Sequence, residues 1–129
     1  MIDRVALERG QMGQMVTIRL RPNEDLVEGI ELACREAGIS HGIVRSAVGS
    51  LVDACLTYGD GIQKRVQGPG VEILTLSGEV RPDGKGNLRA DLSGTISNPA
   101  AEVYGGRFQR GENPICITLE LALQEWVPE

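Results

Sequence analysis

Strict alternation of apolar and polar residues near the end of the chain is the feature that most restricts the fold. In the segment "ICITLELAL", residues 115–123, apolar side chains occupy every second position, and they are Ile115, Ile117, Leu119, Leu121 and Leu123. A period of two places these side chains on one face of an extended strand. The segment therefore predicts a half-buried strand, which needs a sheet around it.

Comparable alternation predicts further strands over 15–21, 71–80, 88–96 and 103–108. Residues 42–48 and 51–58 fit either two strands or one long strand bent at Gly49. The glycine-rich segment 59–70 predicts a loop, and 81–87 predicts a hairpin turn because Pro, Asp and Gly stand in favoured positions. The sequence thus predicts about seven strands, most of them linked by short turns.

One helix is predicted after the first strand. Apolar residues recur at helical spacings of four, three and four, at Leu26, Ile30, Ala33 and Ala37. We expect Asn23 to cap this helix, Glu24 and Asp25 to lie in its first turn, and Gly38 to end it. Glu28, Glu31 and Glu36 lie largely off the apolar stripe. Residues 1–129 therefore predict a single α+β domain: a largely antiparallel sheet of about seven strands with one or two helices packed on it.

Charge and hydropathy exclude some functions. Thirteen Lys and Arg against eighteen Asp and Glu give a net charge of −5, and the basic residues are dispersed. Proteins that bind DNA unaided usually present a basic patch to the phosphates, so strong non-specific DNA binding is not expected. No apolar run approaches the roughly 20 residues that span a bilayer, and the N-terminus has no signal pattern. We expect a cytoplasmic protein with no membrane contact.

The cysteines and the histidine predict no catalytic or metal centre. Cys34, Cys55 and Cys116 have neither zinc nor disulfide spacing and are expected to act as small buried apolar residues. His41 is the single histidine, and we expect it at the surface or at the start of a strand rather than as a ligand. No cofactor is predicted.

Glu72 is the candidate for catalysis. Strict alternation places it on the apolar face with Leu74, Leu76 and Val80 unless a bulge intervenes. A buried carboxylate needs a partner or a raised pKa. It would then be a general base, a ligand-binding acid, or a structural carboxylate paired with an arginine or with backbone amides.

Two further features could form a ligand site. Polar residues on one face of the 88–96 strand form either a solvated surface or the wall of a cleft, in which Arg89 would recognise an anion and Asp91 would orient it. Gly105 and Gly106 could be a bulge, a tight corner, or a place where a ligand or another chain approaches the backbone.

Four motifs together resemble the plants-and-prokaryotes-conserved (PPC) domain. They are "RLRPNEDLVEGIELACREAGI" (19–39), "AVGSLVDACL" (47–56), "GVEILTLSGEV" (70–80) and "VYGGRF" (103–108). Their order and spacing match this family over roughly residues 15–126. The resemblance implies an antiparallel sheet flanked by helices, assembled as a homotrimer. Bacterial members that stand alone are often provisionally named as DNA-binding proteins.

The resemblance also gives the glycine pair a context. Gly105 and Gly106 resemble the family's glycine corner, and Arg107 stands where many members have a histidine that helps to hold a metal. Arg89 and Asp91 are the nearest counterparts of two further histidines. Since arginine stays protonated, we expect no metal here. Two alternatives remain: Arg89 and Arg107 form an anion site, or Arg107 forms a salt bridge with Asp91 or Glu72.

The expected function is therefore that of a non-enzymatic, homotrimeric binding or regulatory module. Its partner would be a small anion or a protein, and any contact with DNA would be weak or indirect because the chain has no AT-hook. The alternative is a small enzyme with a cleft around Glu72, Arg89, Asp91 and Arg107 that acts on an anionic substrate. A third is a subunit that assembles only with other subunits.

Overall fold

One antiparallel sheet of eight strands, with a helix packed against it, forms the fold in a computed structural model that describes residues 6–129. The elements in chain order are β1 (Gly10–Leu20), α1 (Leu26–Ala37), β2 (Gly42–Leu51), β3 (Ala54–Tyr58), β4 (Ile62–Val66), β5 (Val71–Pro82), β6 (Leu88–Ser97), β7 (Val103–Phe108) and β8 (Ile115–Pro128). Across the sheet the order is β1-β8-β2-β5-β6-β7-β3-β4. The predicted antiparallel sheet with a helix is confirmed, with eight strands instead of about seven.

The sheet is strongly curled, because two consecutive strands lie far apart in its order. Only Val52 and Asp53 join β2 to β3, yet β5, β6 and β7 lie between these strands. Four strand spacings in a flat sheet amount to roughly 19 Å, whereas three residues of extended chain reach roughly 11 Å. The sheet must therefore bend around its core to bring the end of β2 to the start of β3.

The hydrophobic core fills the face of the sheet on which α1 packs, here called the inner face. Its fully buried side chains are mostly aliphatic and include Leu26, Ile30, Leu51, Leu56, Val71, Val80, Leu92, Ile96, Ile115, Leu119 and Leu123. Fully burying one such side chain stabilises a fold by about 1.5–3 kcal/mol. The opposite, outer face carries no second layer within the described residues.

Helix α1 begins at a different residue from the one predicted. Asp25 is the N-cap, and its carboxylate accepts a hydrogen bond from the backbone N–H of Glu28, at 3.0 Å. Asn23 instead adopts a left-handed conformation, with φ of 70°. The predicted end is confirmed, since Gly38 has φ of 72° and its N–H bonds the last turn. No helix within residues 6–129 is long and apolar enough to cross a membrane.

The predicted apolar stripe of α1 is confirmed at Leu26 and Ile30, half-buried at Ala33 and wrong at Ala37. Ala37 is exposed, while Glu31 is buried, with 3% of its surface accessible. Its carboxylate accepts a hydrogen bond from the backbone N–H of Ala90, at 3.0 Å, and forms a salt bridge with Arg110, at 3.0 Å. These partners make the burial of a charge tolerable, because a buried carboxylate needs both pairing and hydrogen bonds.

The strand count differs because β4 lies inside the segment predicted as a loop. Residues 62–66 pair with the whole of β3 and form one edge of the sheet. Of the two alternatives for 42–58, two separate strands are confirmed and one long bent strand is wrong: the break falls at Val52 and Asp53, and Gly49 lies within β2. Strand β1 begins at Gly10, five residues before the predicted start.

Bulges overturn two predicted orientations. The pairing of β5 with β6 shifts between Ile73 and Thr75, so Glu72 faces solvent rather than the core. The pairing of β8 with β2 shifts between Ile115 and Leu119, where β8 has four residue steps against two in β2. Ile117 lies in this irregular stretch. Alternation placed it on the apolar face, but it is 71% exposed.

The cysteines and His41 largely match expectation. Cys34 and Cys55 are buried, as predicted, whereas Cys116 is only partly buried. His41 directly precedes β2, a position at the start of a strand, but it is buried with 8% accessibility.

Candidate functional site

A cleft with a volume of about 820 Å³ opens on the outer face, where β3, β5, β6 and β7 come together. This volume lies within the range of small-molecule sites, roughly 300–1,000 Å³. The side chains that give it its chemistry are Thr57, Asp60, Glu79, Asp91, Ser93 and Arg107. The cleft therefore combines charged groups of both signs with two hydroxyls.

Sheet register brings Arg107 to Asp91. Arg107 on β7 lies opposite Ser93 on β6 and opposite Thr57 on β3. Asp91 is two residues before Ser93 on the same face, and its Oδ1 forms a salt bridge with Arg107 Nε at 3.0 Å. The two side chains are 65% and 66% exposed, for arginine and aspartate respectively. Exposed ion pairs of this kind contribute about 0–1 kcal/mol, so the pair is weak.

Glu79 carries the second ionic contact of the cleft. It lies opposite Asp91 in the β5–β6 pairing, and its Oε1 accepts from Arg81 Nε at 2.7 Å. His41 Nε2 lies 3.8 Å from Glu79 Oε2. His41 thus contacts the residue that forms one wall of the cleft, although it does not itself line the cleft.

Close packing explains Gly106 of β7 and Gly94 of β6, whereas at Gly105 the nearest atom to a new Cβ is a methyl group of Thr95 at 3.3 Å. Gly106 lies opposite Gly94 in β6, and a Cβ atom at Gly106 would come within 3.1 Å of the Tyr58 ring. A Cβ atom at Gly94 would meet the carbonyl oxygen of Thr75 at 2.0 Å. A Cβ atom at Gly94 would therefore collide with the backbone of β5, and one at Gly106 would press on the Tyr58 ring of β3.

The structure brings together only part of the predicted site. Asp91, Gly106 and Arg107 line the cleft, whereas Arg89, Gly105 and Glu72 do not. Arg89 lies opposite Arg81, and Glu72 lies opposite Ser97 in the β5–β6 pairing. Of the two partners considered for Arg107, Asp91 is the one that it contacts.

Glu79 and Asp60 were missed by sequence reasoning. The predicted turn over 81–87 would pair Glu79 with Arg89. Because β5 extends to Pro82 and β6 begins at Leu88, the turn is shorter and Glu79 lies opposite Asp91 instead. Asp60 lies in the turn that follows β3. Because β3 pairs with β7, which contains Arg107, this turn lies beside the cleft. Nothing in the local sequence signals that contact.

The side chains of the cleft do not form a set of metal ligands. Arg107 stays protonated and cannot act as a metal ligand. Among residues 6–129, no group of three or more His, Cys, Asp or Glu side chains is placed to hold a metal. Three carboxylates and one guanidinium line the cleft, which leaves a formal excess of two negative charges.

Comparison with known proteins gives a family and a set of relatives. The sequence profile of the Plants and Prokaryotes Conserved domain (PCC, also written PPC) matches residues 7–127. The bifunctional protein GlmU of Synechococcus sp. (strain JA-2-3B'a(2-13)) is 34% identical over 94 residues, which are 73% of this chain and 14% of that protein. The chain thus spans only 14% of the length of the curated Synechococcus relatives that it matches.

Solved structures share the fold. The metal-containing protein of Archaeoglobus fulgidus is similar with a TM-score of 0.83 and 25% identity, over 97% of this chain and 88% of that one. The PPC protein of Pyrococcus horikoshii gives 0.81 and 20%, over 97% and 87%. A Bacteroides thetaiotaomicron protein provisionally named as DNA-binding gives 0.75 and 14%, over 90% and 83%. The last two likenesses show the fold alone.

Proposed function

This chain belongs to the Plants and Prokaryotes Conserved domain family, and we propose that it is a non-enzymatic binding module that assembles as a homotrimer. Its ligand is a small charged molecule or a protein partner, and the ligand site is the cleft around Arg107. Contact with DNA is weak or made through other proteins.

The observation that carries this proposal is the bare outer face of the sheet. Val48, Leu74 and Val103 are 62%, 50% and 59% exposed, in a sheet that has its helix on the other side. Val48 lies opposite Glu120, and Val103 lies opposite Ser97. Large apolar side chains exposed on a sheet face are typical of surfaces that bind another protein, and we assign this one to further copies of the chain.

The GlmU relative supports a module rather than a self-sufficient enzyme. In that protein the matching region is a small part of a much longer chain. A domain of this family can therefore accompany other functional domains within one protein. The activities of GlmU are not carried over to this chain.

Charge argues against unaided binding to duplex DNA, despite the provisional names of several structural neighbours. Each chain has a net charge of −5. Affinity for the duplex comes largely from cations that replace counterions on phosphates. A trimer would multiply the negative charge, so we expect no tight binding at physiological salt.

The position of Glu72 does not support the alternative in which this residue acts as the general base of an enzyme. Glu72 is exposed and lies outside the cleft that contains Asp91 and Arg107. A general base must lie within hydrogen-bond reach of the reacting group, and Glu72 does not share a cavity with the arginine that would hold an anionic substrate.

Native mass spectrometry of the gently purified protein tests the proposal. We expect a trimer, together with dissociation into monomers when Val48 and Val103 are both changed to Lys. The matched control is Ile62→Lys, an equally exposed aliphatic residue on the edge strand β4, which should leave the trimer intact. A monomeric wild-type protein, or tight sequence-specific DNA binding in a gel shift at physiological salt, would contradict the proposal.

A further inference from the structure

The ligand of the cleft must open or bypass the ion pair between Arg107 and Asp91. This pair joins the two walls of the cleft at 3.0 Å, and both side chains are mostly exposed. Water already solvates both partners, so separating them has a small cost. Arg107 is therefore available to a ligand that offers an anionic group with better geometry than one carboxylate oxygen, such as a bidentate carboxylate or phosphate.

A ligand that carries only a negative charge would add to the uncompensated negative charge of the cleft. Binding it to Arg107 releases Asp91, and Asp60 and Glu79 line the same cleft. Asp60 has no salt bridge within residues 6–129. The new anion would lie near Asp91, which has lost its partner, and near Asp60, with one guanidinium to balance the three negative charges, and like charges at short range repel.

A simple amine also gains little. Arg107 holds Asp91, and Arg81 holds Glu79, so Asp60 is the one carboxylate of the cleft that has no cationic partner within residues 6–129 and could bind the amine. The amine would have to approach beside the Arg107 guanidinium, which has the same sign of charge. Neither charge alone suits the arrangement.

We propose that the cleft binds a small molecule that carries both an anionic group and a protonated amine. The anionic group replaces Asp91 on Arg107, and the amine takes the released Asp91 together with Asp60 or Glu79. The hydroxyls of Thr57 and Ser93 flank Arg107 and can bond the ligand between its two charged ends. This inference rests on the proposed function in one respect, since it takes this cleft as the ligand site.

Two matched sets of probes test the inference. The first compares γ-aminobutyrate with butyrate and butylamine, and the second compares phosphoethanolamine with inorganic phosphate and ethanolamine. The readout is the set of backbone amide signals of Gly59, Gly78 and Gly106, all of which line the cleft, in nitrogen–proton correlation spectra. Gly86 lies outside the cleft and is the internal reference. We expect one of the two zwitterions to bind about tenfold more tightly than either of its single-charge relatives.

Variants make the test sharper. Arg107→Gln should abolish the response to the zwitterion. Asp91→Asn should reverse the preference, because Arg107 is then free and one carboxylate is gone, so that butyrate or phosphate binds at least as well as the zwitterion. Arg89→Gln is the matched control. Arg89 lies on β6, two residues before Asp91, but it does not line the cleft.

The outcomes separate this inference from the proposed function. A trimer whose cleft glycines respond to no zwitterion, or respond equally to simple anions, overturns the inference and leaves the assembly proposal standing. A monomer that binds a zwitterion with the expected variant pattern overturns the assembly proposal and supports the inference. Shifts at Gly86 as large as those at Gly106 would show non-specific binding and would also overturn it.

Discussion

Asn113 is fully buried, and its side-chain amide bonds both main-chain groups of Cys55: Oδ1 accepts from the N–H at 2.8 Å, and Nδ2 donates to the C=O at 3.2 Å. Nδ2 also donates to the C=O of Gln109, at 2.8 Å. The backbone N–H of Asn113 in turn donates to Asp25, the residue that caps α1. A side chain thus acts as the neighbouring strand for β3 where β7 has ended.

Replacing Asn113 with Ala should lower the free energy of unfolding by about 2–4 kcal/mol, because the buried N–H of Cys55 loses its partner and a void remains. Urea denaturation followed by circular dichroism measures this loss. Asn87→Ala, at an exposed position in the hairpin turn, is the control and should change stability by less than about 0.5 kcal/mol. Equal effects of the two substitutions would show that β3 does not depend on Asn113.

Glu31 should be more costly to remove than to neutralise. Glu31→Ala leaves the N–H of Ala90 and the guanidinium of Arg110 without their partner, for a loss of about 3 kcal/mol. Glu31→Gln should cost less, because the amide oxygen can still accept from Ala90. Combining Glu31→Gln with Arg110→Ala should give less than the sum of the single losses in denaturation experiments. Strict additivity would mean that the observed salt bridge contributes nothing.

The three glycines around β7 should respond to alanine in a graded order. At Gly105 the nearest atom to a new Cβ lies at 3.3 Å and is a side-chain methyl group, so Gly105→Ala should be nearly neutral. Gly106→Ala presses on the Tyr58 ring and should cost about 1–3 kcal/mol. Gly94→Ala collides with backbone and should prevent folding or cost more than either. Thermal unfolding of the three proteins checks this order, and a Gly94→Ala protein as stable as wild type would refute it.

Cys34 should resist alkylation that modifies Cys116. Burial raises the pKa of the Cys34 thiol to about 11, so little of the nucleophilic thiolate forms near neutral pH. Peptide mapping after treatment with iodoacetamide should find Cys116 modified and Cys34 intact, with all three cysteines modified in urea. Because the pKa of Cys34 is higher in the folded than in the unfolded state, its contribution to stability is fully present below about pH 8.5, the unfolded pKa. It is lost as the pH rises from there through the folded pKa of about 11. Rapid labelling of Cys34 in the native protein would contradict this environment.

Sequence patterns predicted those elements whose signals are local. The alternation at residues 115–123 identified β8, and Gly38 correctly ended α1 because its left-handed conformation is available at little cost only to glycine. Strand β4 was missed for a physical reason. Its residues, "IQKRV", are mostly exposed, so no apolar face repeats, and the strand exists only because β3 pairs with it.

Contacts between distant parts of the chain account for most of what the sequence could not predict about the fold and the site. Glu31 was placed off the apolar stripe because no local pattern shows that Ala90 and Arg110 will supply bonds from distant parts of the chain. Glu72 was placed inside because alternation cannot show a bulge. The polar stripe on β6 did identify Asp91, and the resemblance to a family identified Arg107. Their contact needed the strand register.

The strand order also determines when the domain can fold during its synthesis. Strand β8, which is the last of the eight to be synthesised, lies between β1 and β2, which are among the first. β1 pairs with no strand except β8 within the described residues, so the early segment has no neighbour until β8 has emerged. In a ribosome-bound chain that lacks β8, β1 therefore has no neighbouring strand and β2 has one unpaired edge, and unpaired edges of this kind favour aggregation. Native folding of this domain is thus expected to begin only after translation of β8, in one late and cooperative step.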